Sequence, residues 1–337
     1  MKQRTLGQGL TVSAIGMGCL TLSEMNYGPV DDAESEITLL EAVDSGVTFL
    51  DTGEVYGRES SNEKLIGRVL EQRRDEVILC TKFGLVYDYR QGPMVADSRP
   101  DAIRTSLEGS LQRLRTDRID LYYQHRTDPN VPIEEVWGAL SLMVQEGKVR
   151  YVGMSEPGID TLRRAHAIHP VAAVENEYSL FTREPEDELM PVLQELGIGL
   201  VPFAPLGRGL LSGKIRTPDD FAPDDFRRRL PRYQGEAFYK NLELVDKVNE
   251  IAADRGATPA QLAIAWILSR GDYIVPIPGM ETRALLRENI KAAEIELTAD
   301  EVAAIEAVIP QGGYGDRYGD YASLQKAEAA TTDEETR

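Results

Sequence analysis

Eight short, β-rich apolar runs recur along this chain, at residues 14–18, 48–51, 77–82, 120–125, 151–155, 171–176, 199–203 and 274–278. They are continuously apolar, not alternating, which is the pattern of parallel strands buried on both faces. Amphipathic stretches of helical period separate them, among them residues 33–45, 62–72, 100–114, 134–145 and 185–196. Pro185 suits a first helical turn, and Gly46, Gly147 and Gly197 stand where helices would end. Eight strand–helix units predict an α/β fold of the (β/α)8 TIM-barrel kind. A doubly wound sheet is the alternative, but its glycine fingerprint is missing. Gly16-Met17-Gly18 lacks the third glycine, and Gly313-Tyr314-Gly315 has its next glycine one residue late.

Three segments interrupt the alternation. Residues 4–12 read as a hairpin able to plug the bottom of a barrel. Residues 206–237 form a long Pro/Arg/Asp-rich stretch after the seventh run, and a loop of that length in a compact domain is usually functional. Residues 311–337 open Gly/Tyr-rich and end in a polar run expected to fray. The expected organisation is one barrel unit over 1–337, with the barrel at about residues 4–309 and a C-terminal tail.

With 37 Lys+Arg against 56 Asp+Glu, the formal charge is −19. Such an acid excess disfavours nucleic acid or an anionic membrane as partner, because every phosphate contact meets a repulsive field. A phosphorylated small molecule needs only a few local cations and stays allowed. No apolar stretch has the length of a membrane span, and the polar opening Met1-Lys2-Gln3-Arg4 does not resemble a secretory signal, so a cytoplasmic location is expected. Cys19 and Cys80 are too few for a disulfide scaffold or a four-thiolate metal site. His166 and His169 share a helical stretch with no carboxylate at ligand spacing, so no metal is expected.

In a βα barrel the chemistry lies at the C-terminal strand ends. The second run ends in Asp51 and continues to Tyr56, the third ends in Lys82, and the fourth ends in His125. Four different reactive groups therefore reach one rim. Together they can deliver a proton to a carbonyl oxygen. Free tyrosine titrates at about 10, so it is a sluggish acid at neutral pH unless a neighbouring cation stabilises its phenolate. Lys82 supplies that cation, Asp51 holds Lys82, and His125 orients the carbonyl or shares the proton. A Schiff base on Lys82, as in an aldolase, is a rival use of the same residue, although pairing with Asp51 would keep it protonated.

The motifs Phe49-Leu-Asp-Thr-Gly-Glu-Val-Tyr-Gly57, Asp120-Leu-Tyr-Tyr-Gln-His125 and Ile277-Pro-Gly279 resemble, in order and spacing, the signatures of aldo-keto reductases. The resemblance runs from the hairpin to about residue 309. It implies a barrel that binds NADP(H) or NAD(H) without a Rossmann domain and reduces aldehydes, ketones or sugar-like carbonyls. It also implies a catalytic set of Asp51, Tyr56, Lys82 and His125, with Tyr56 as general acid. Some barrel relatives are nucleotide-sensing subunits, which leaves a binding role as a further alternative.

The same resemblance implies a cofactor track along the later strands. Ser155 would fix the nicotinamide carboxamide, next to Glu156 where the family more widely has Asn. Glu175 stands where Gln is usual, and a carboxylate can accept from the carboxamide but cannot donate to it. Phe203 would stack on the nicotinamide. Residues 205–214, including Leu206, Gly207, Gly209 and Lys214, would form the pyrophosphate loop, with Arg208 as a further cation. Gly279, Met280, Glu281 and Arg283 would face the adenosine ribose, and Glu288 and Asn289 the adenine. Glu281 would repel a 2′-phosphate unless Arg283 or Arg287 intervenes, so NADP(H) is the family expectation and NAD(H) is possible. Substrate shape is expected from residues 20–30, 84–97, 126–129 and 215–234 and the tail near Tyr314–Tyr321. Tyr27, Tyr87, Tyr89, Tyr318 and Arg227-Arg228-Arg229 are candidate pocket residues there.

Overall fold

The structure, a computed structural model, describes residues 1–24, 27–86 and 95–319. A hairpin of β1 (Gln3–Thr5) and β2 (Thr11–Ser13) precedes the parallel sheet. That sheet comprises β3 (Met17–Gly18), β4 (Phe49–Asp51), β5 (Ile78–Phe83), β8 (Ile119–Gln124), β9 (Val149–Ser155), β10 (Val171–Glu177) and β11 (Gly199–Phe203), in sequential order. A short antiparallel ladder, β6 (Leu85–Val86) with β7 (Val95–Ala96), stands above β5. The eighth expected strand, 274–278, adopts strand-like pairing on both sides without forming a full ladder. Val275 N donates to Leu200 O at 2.9 Å and Ile277 N to Pro202 O at 3.0 Å, while Gly16 N and Gly18 N donate to Pro276 O and Pro278 O. Pro276 and Pro278 have no N–H to give, which is why this seam is thinner than the others. The sheet closes through it into a (β/α)8 barrel.

The surrounding helices are α1 (Asp32–Asp44), α2 (Ser61–Leu70), α3 (Pro100–Leu114), α4 (Ile133–Gln145), α5 (Ile159–Ile168), α6 (Leu189–Leu196), α7 (Gly235–Asp254), α8 (Pro259–Ser269), α9 (Arg283–Ile290) and α10 (Ala299–Val308). Helix α3 has the expected bounds, with Pro100 at its first turn. The stretch 185–196 divides into a 3₁₀ turn at Glu184–Glu186 and then α6, so Pro185 opens the turn and not the helix. None of the helices among the described residues is long and apolar enough to cross a membrane.

Inside the barrel, Phe49, Cys80, Leu121, Tyr123, Val201, Val275 and Ile277 pack with Leu6, Leu10 and Val12 of the hairpin. The hairpin therefore plugs the barrel bottom, as expected. Gly7 makes this possible, because a Cβ there would fall 2.5 Å from Ala172 O and 2.7 Å from Gly197 O. With the bottom filled, the C-terminal strand ends are the open face. The 206–237 stretch folds over that face as four 3₁₀ turns, at Leu210–Ser212, Pro218–Asp220, Phe226–Arg229 and Pro231–Tyr233.

Candidate active site

Register brings the four strand-end residues together. Asp51 of β4 pairs with Cys80 of β5, and Lys82 pairs with Tyr123 of β8, so Asp51 and Lys82 both point inward at the mouth. Lys82 Nζ donates to Asp51 Oδ1, donates to Thr52 O at 2.8 Å, and lies 5.0 Å from the centre of the Tyr56 ring. The rings of Tyr56 and His125 meet edge-on with centroids 5.7 Å apart. His125 N donates to Phe83 O at 2.9 Å, extending β8 by one pairing.

Tyr56 sits on a loop held from several sides. Thr52 N donates to Cys80 O at 3.0 Å, and Asn62 N donates to Tyr56 O at 3.3 Å from the start of α2. Gly53 is required by closeness: a Cβ there would lie 3.1–3.2 Å from the Tyr56 ring. Glu54 anchors the loop to α3 by accepting from Ser106 and, at 3.2 Å, from Arg113.

The electrostatics differ in one respect from the expectation that Lys82 lowers the Tyr56 pKa. Burial pushes the phenol up, Lys82 pulls it down, and Glu175 and Asp51 push it up again, so the net direction is upward. Tyr56 is therefore a neutral phenol that still holds its proton. Burial, then Arg126 and Lys82, push the His125 imidazole well below its ordinary range, so it is neutral too. Burial works against the Lys82 charge, but Asp51 and Glu175 outweigh it and push the ammonium well above its ordinary range. An ammonium held this firmly is no nucleophile, which removes the chemical basis for a Schiff-base aldolase.

The later strand ends face the same mouth. Ser155 Oγ accepts from Arg126 Nη1 at 2.9 Å, and Arg126 Nη2 lies 3.1 Å from Glu156. Glu175 lies 3.2 Å from Lys82 Nζ, and Phe203 is half-buried at the end of β11. The loop after β11 carries a run of left-handed residues: Ala204 and Arg208 at φ 48° and 49°, with Gly207 and Gly209 at 53° and 94°. Non-glycine residues in that conformation concentrate at functional sites. Leu206 packs partly into the core, and Lys214 pairs with Glu288 at 2.7 Å. Beyond Gly279, Met280 is fully buried in the core, so the structure does not present this expected contact residue to a ligand. Arg283 is not a free cation: Glu34 of α1 accepts from its side chain at 3.0 and 3.1 Å and from its backbone N at 3.2 Å. Arg287 is likewise paired with Glu41 at 2.6 Å. Asn289 is buried, donates to Gly279 O at 3.3 Å, and leaves its Oδ1 without a partner among the described residues.

Residues 14–310 match the model of the aldo/keto reductase family. The chain belongs to that family. It is 46% identical over 300 residues to an aldo-keto reductase of Schizosaccharomyces pombe whose name carries NADP(+), with 88% of each chain covered. A probable aldo-keto reductase of Glycine max is 42% identical over 314 residues, covering 92% of this chain and 90% of that one. Among solved structures, a glycerol dehydrogenase from Gluconobacter oxydans superposes with a TM-score of 0.84 at 27% identity, covering 92% and 95% of the two chains. The holo form of an aldo-keto reductase from Bacillus halodurans gives 0.77 at 28% identity, covering 93% and 98%. This aldo-keto reductase is accordingly an oxidoreductase acting on small-molecule carbonyl compounds, in a family that uses nicotinamide dinucleotides.

Two residues of this aldo-keto reductase's mouth carry no motif, and only the fold brings them there. Glu177, on the inward side of β10, lies 3.0 Å from Arg208, 3.3 Å from Arg317 and 3.7 Å from Arg232. Arg317 also pairs with Glu156, across a sequence separation of 161 residues. Tyr318 accepts from Arg208 at 2.8 Å, whereas Tyr314 is half-exposed and held by Asn241. Of the three consecutive arginines, Arg227 pairs with Asp225 at 2.6 Å and covers the Tyr27 ring, and Arg228 donates to Phe221 O and Ala222 O. These two hold their own loop together. Tyr87, Tyr89 and Tyr321 lie outside the described residues. The single signal available beforehand for Glu177 was its two-residue offset from Glu175, which on a strand means the same face.

Proposed function

We propose that the protein transfers hydride from a reduced nicotinamide dinucleotide to the carbonyl of an aldehyde, ketone or sugar-like substrate, with Tyr56 as general acid. The observation that carries this reading is the convergence of Asp51, Tyr56, Lys82 and His125 at one mouth above a plugged barrel. The dinucleotide supplies the hydride; the chain supplies the proton and the geometry. Tyr56 gives its proton to the carbonyl oxygen, Lys82 stabilises the phenolate left behind, and Asp51 fixes Lys82. Neutral His125 donates a hydrogen bond that orients the carbonyl without competing as a base.

Asn289 supports the cofactor reading, since its buried Oδ1 has no partner among the described residues and suits an adenine amino group. Ser155, Glu156 and Glu175 would take the nicotinamide end and Phe203 its ring face. Leu206, Gly207, Gly209 and Lys214 would take the pyrophosphate, and Gly279, Glu281, Arg283 and Glu288 the adenosine. Binding requires exchanges: Arg126 must yield Ser155, and Lys214 must yield Glu288. The NADP(+) in the S. pombe relative's name favours NADP(H), while Glu34 and Glu281 oppose a 2′-phosphate. With an exposed ion pair worth up to about 1 kcal/mol, NADPH is expected to bind only about fivefold more tightly than NADH.

Fluorescence titration with NADPH and NADH separately, followed by turnover on aromatic aldehydes and keto sugars, tests the reading. Tyr56→Phe is expected to lower turnover by roughly 10²–10⁴-fold while leaving dinucleotide binding in place. Tight binding without turnover in the unaltered protein would instead assign a nucleotide-sensing role.

A further inference from the structure

The proposed proton path uses Asp51, Tyr56, Lys82 and His125 and gives no part to Glu175, which is buried beside Lys82. Lys82 Nζ has three protons. One goes to Asp51 Oδ1 and one to Thr52 O, and Glu175 Oε2 stands 3.2 Å away as an ion-pair partner outside hydrogen-bond geometry. Asp51 Oδ2 and Glu175 Oε2 are both buried, and neither accepts a hydrogen bond among the described residues, although Asp51 lies within hydrogen-bonding reach of Glu175. Two ionised carboxylates on one ammonium would leave an uncompensated negative charge and two unsatisfied acceptors in a dry cavity. One proton between them removes both faults. It turns one oxygen into a donor, closes an Asp51–Glu175 hydrogen bond, and brings the sum of Asp51, Lys82 and Glu175 to zero.

We infer that Asp51 and Glu175 share one proton at neutral pH, and that its loss from Glu175 tilts the site toward the oxidised dinucleotide. The second half rests on the proposed function, in which the nicotinamide lies by the ends of β9 and β10. A nicotinamide becomes cationic on giving up its hydride. A carboxylate at Glu175 stabilises that cation, and a carboxylic acid does not. The proton leaves to solvent, and the cluster passes from zero to one negative charge. A glutamine here could not make this change, which gives the departure from the family's usual residue a chemical consequence.

The charged and titratable groups facing Glu175 are Asp51 on β4, Lys82 and Cys80 on β5, Tyr56 on its loop, Tyr123 on β8 and Arg126 beyond it, with Cys19 behind Asp51. Burial, then Asp51, push the Glu175 carboxyl up to about 8 against the pull of Lys82 and Arg126. Both tyrosines and both cysteines are pushed upward by burial and stay neutral as Glu175 titrates. An acid whose proton is held more tightly in the fold than in the unfolded chain favours folding at low pH, and that advantage is lost as pH rises from the ordinary carboxylate range through about 8.

Infrared difference spectroscopy of the unliganded protein tests the proton directly. A carboxylic-acid C=O band is expected to persist at neutral pH, to titrate near the value given above, and to be missing in Glu175→Gln. Carboxyl bands that titrate only in the ordinary acid range would overturn the inference. Dissociation constants for the reduced and oxidised dinucleotide, measured from about pH 6 to about pH 9, test the consequence. Their ratio should shift about tenfold toward the oxidised form in the unaltered protein and stay flat in Glu175→Gln. A flat ratio in both would overturn the assigned consequence. Absence of dinucleotide binding at every pH would sink the proposed function and with it the redox bias, while the infrared band would still decide the shared proton.

Discussion

Two acids on one strand of this barrel have opposite fates. Glu175 and Glu177 are two residues apart on β10, both point inward, and both are buried. Glu175 shares a single ammonium, Lys82, with Asp51, and its carboxyl is pushed up toward the acid form. Burial also pushes Glu177 upward, but Arg208, Arg317 and Arg232 outweigh it and hold the carboxylate below its usual range. The difference is local: Asp51 and Glu175 share the Lys82 ammonium, with Arg126 only a weaker pull on Glu175, whereas Glu177 meets three arginines, of which Arg317 also serves Glu156. The formal charge of −19 for the whole chain predicts neither. The acid-rich side keeps protons, which suits a site that delivers one. The arginine-rich side keeps fixed charge and ties the C-terminal segment to the mouth.

The largest test of this contrast removes the ammonium that pairs directly with both acids. Lys82→Met leaves Asp51 and Glu175 buried without the ammonium they share, and urea unfolding at neutral pH should show a loss of about 3–5 kcal/mol. An unchanged unfolding midpoint would mean that the two carboxyl groups do not depend on Lys82. On the other side, Arg317→Gln leaves Glu177 with Arg208 and Arg232, so the same measurement should find a loss of only about 1 kcal/mol. A loss as large as that of Lys82→Met would break the comparison. The smallest effect belongs to the α1–α9 seam, where cations and carboxylates are matched one to one. Glu34→Gln frees Arg283 and should tighten NADPH binding about three- to fivefold with NADH unchanged, read by fluorescence titration. Equal tightening of both would show that Arg283 does not distinguish them.

Much of the fold was legible because it depends on local pattern. Residues 100–114 form the expected helix to the residue, and the hairpin plugs the bottom. The eighth strand was placed correctly, but its thinness followed from Pro276 and Pro278, whose missing donors matter only when a neighbour needs them. The reactive quartet was legible because its members lie at or just beyond C-terminal strand ends, Tyr56 on the loop after β4, and barrel topology sends all strand ends to one face. Its protonation was not. The upward shift of Tyr56 depends on burial and on Glu175, which approaches from the opposite wall of the barrel.

The proposed cofactor track shows the same boundary. Its residue types and spacing could be read from the chain, yet Arg283 is held by Glu34 from 249 positions away, and Met280 faces the core. By itself, then, the sequence determined the strand–helix alternation, the closed barrel and the identity of the groups at its mouth, because these follow from periodicity and strand polarity. Tertiary structure alone decided which cation each carboxylate meets. Ion pairing and desolvation depend on distances of a few ångströms between segments far apart in the chain, and no local pattern encodes those distances.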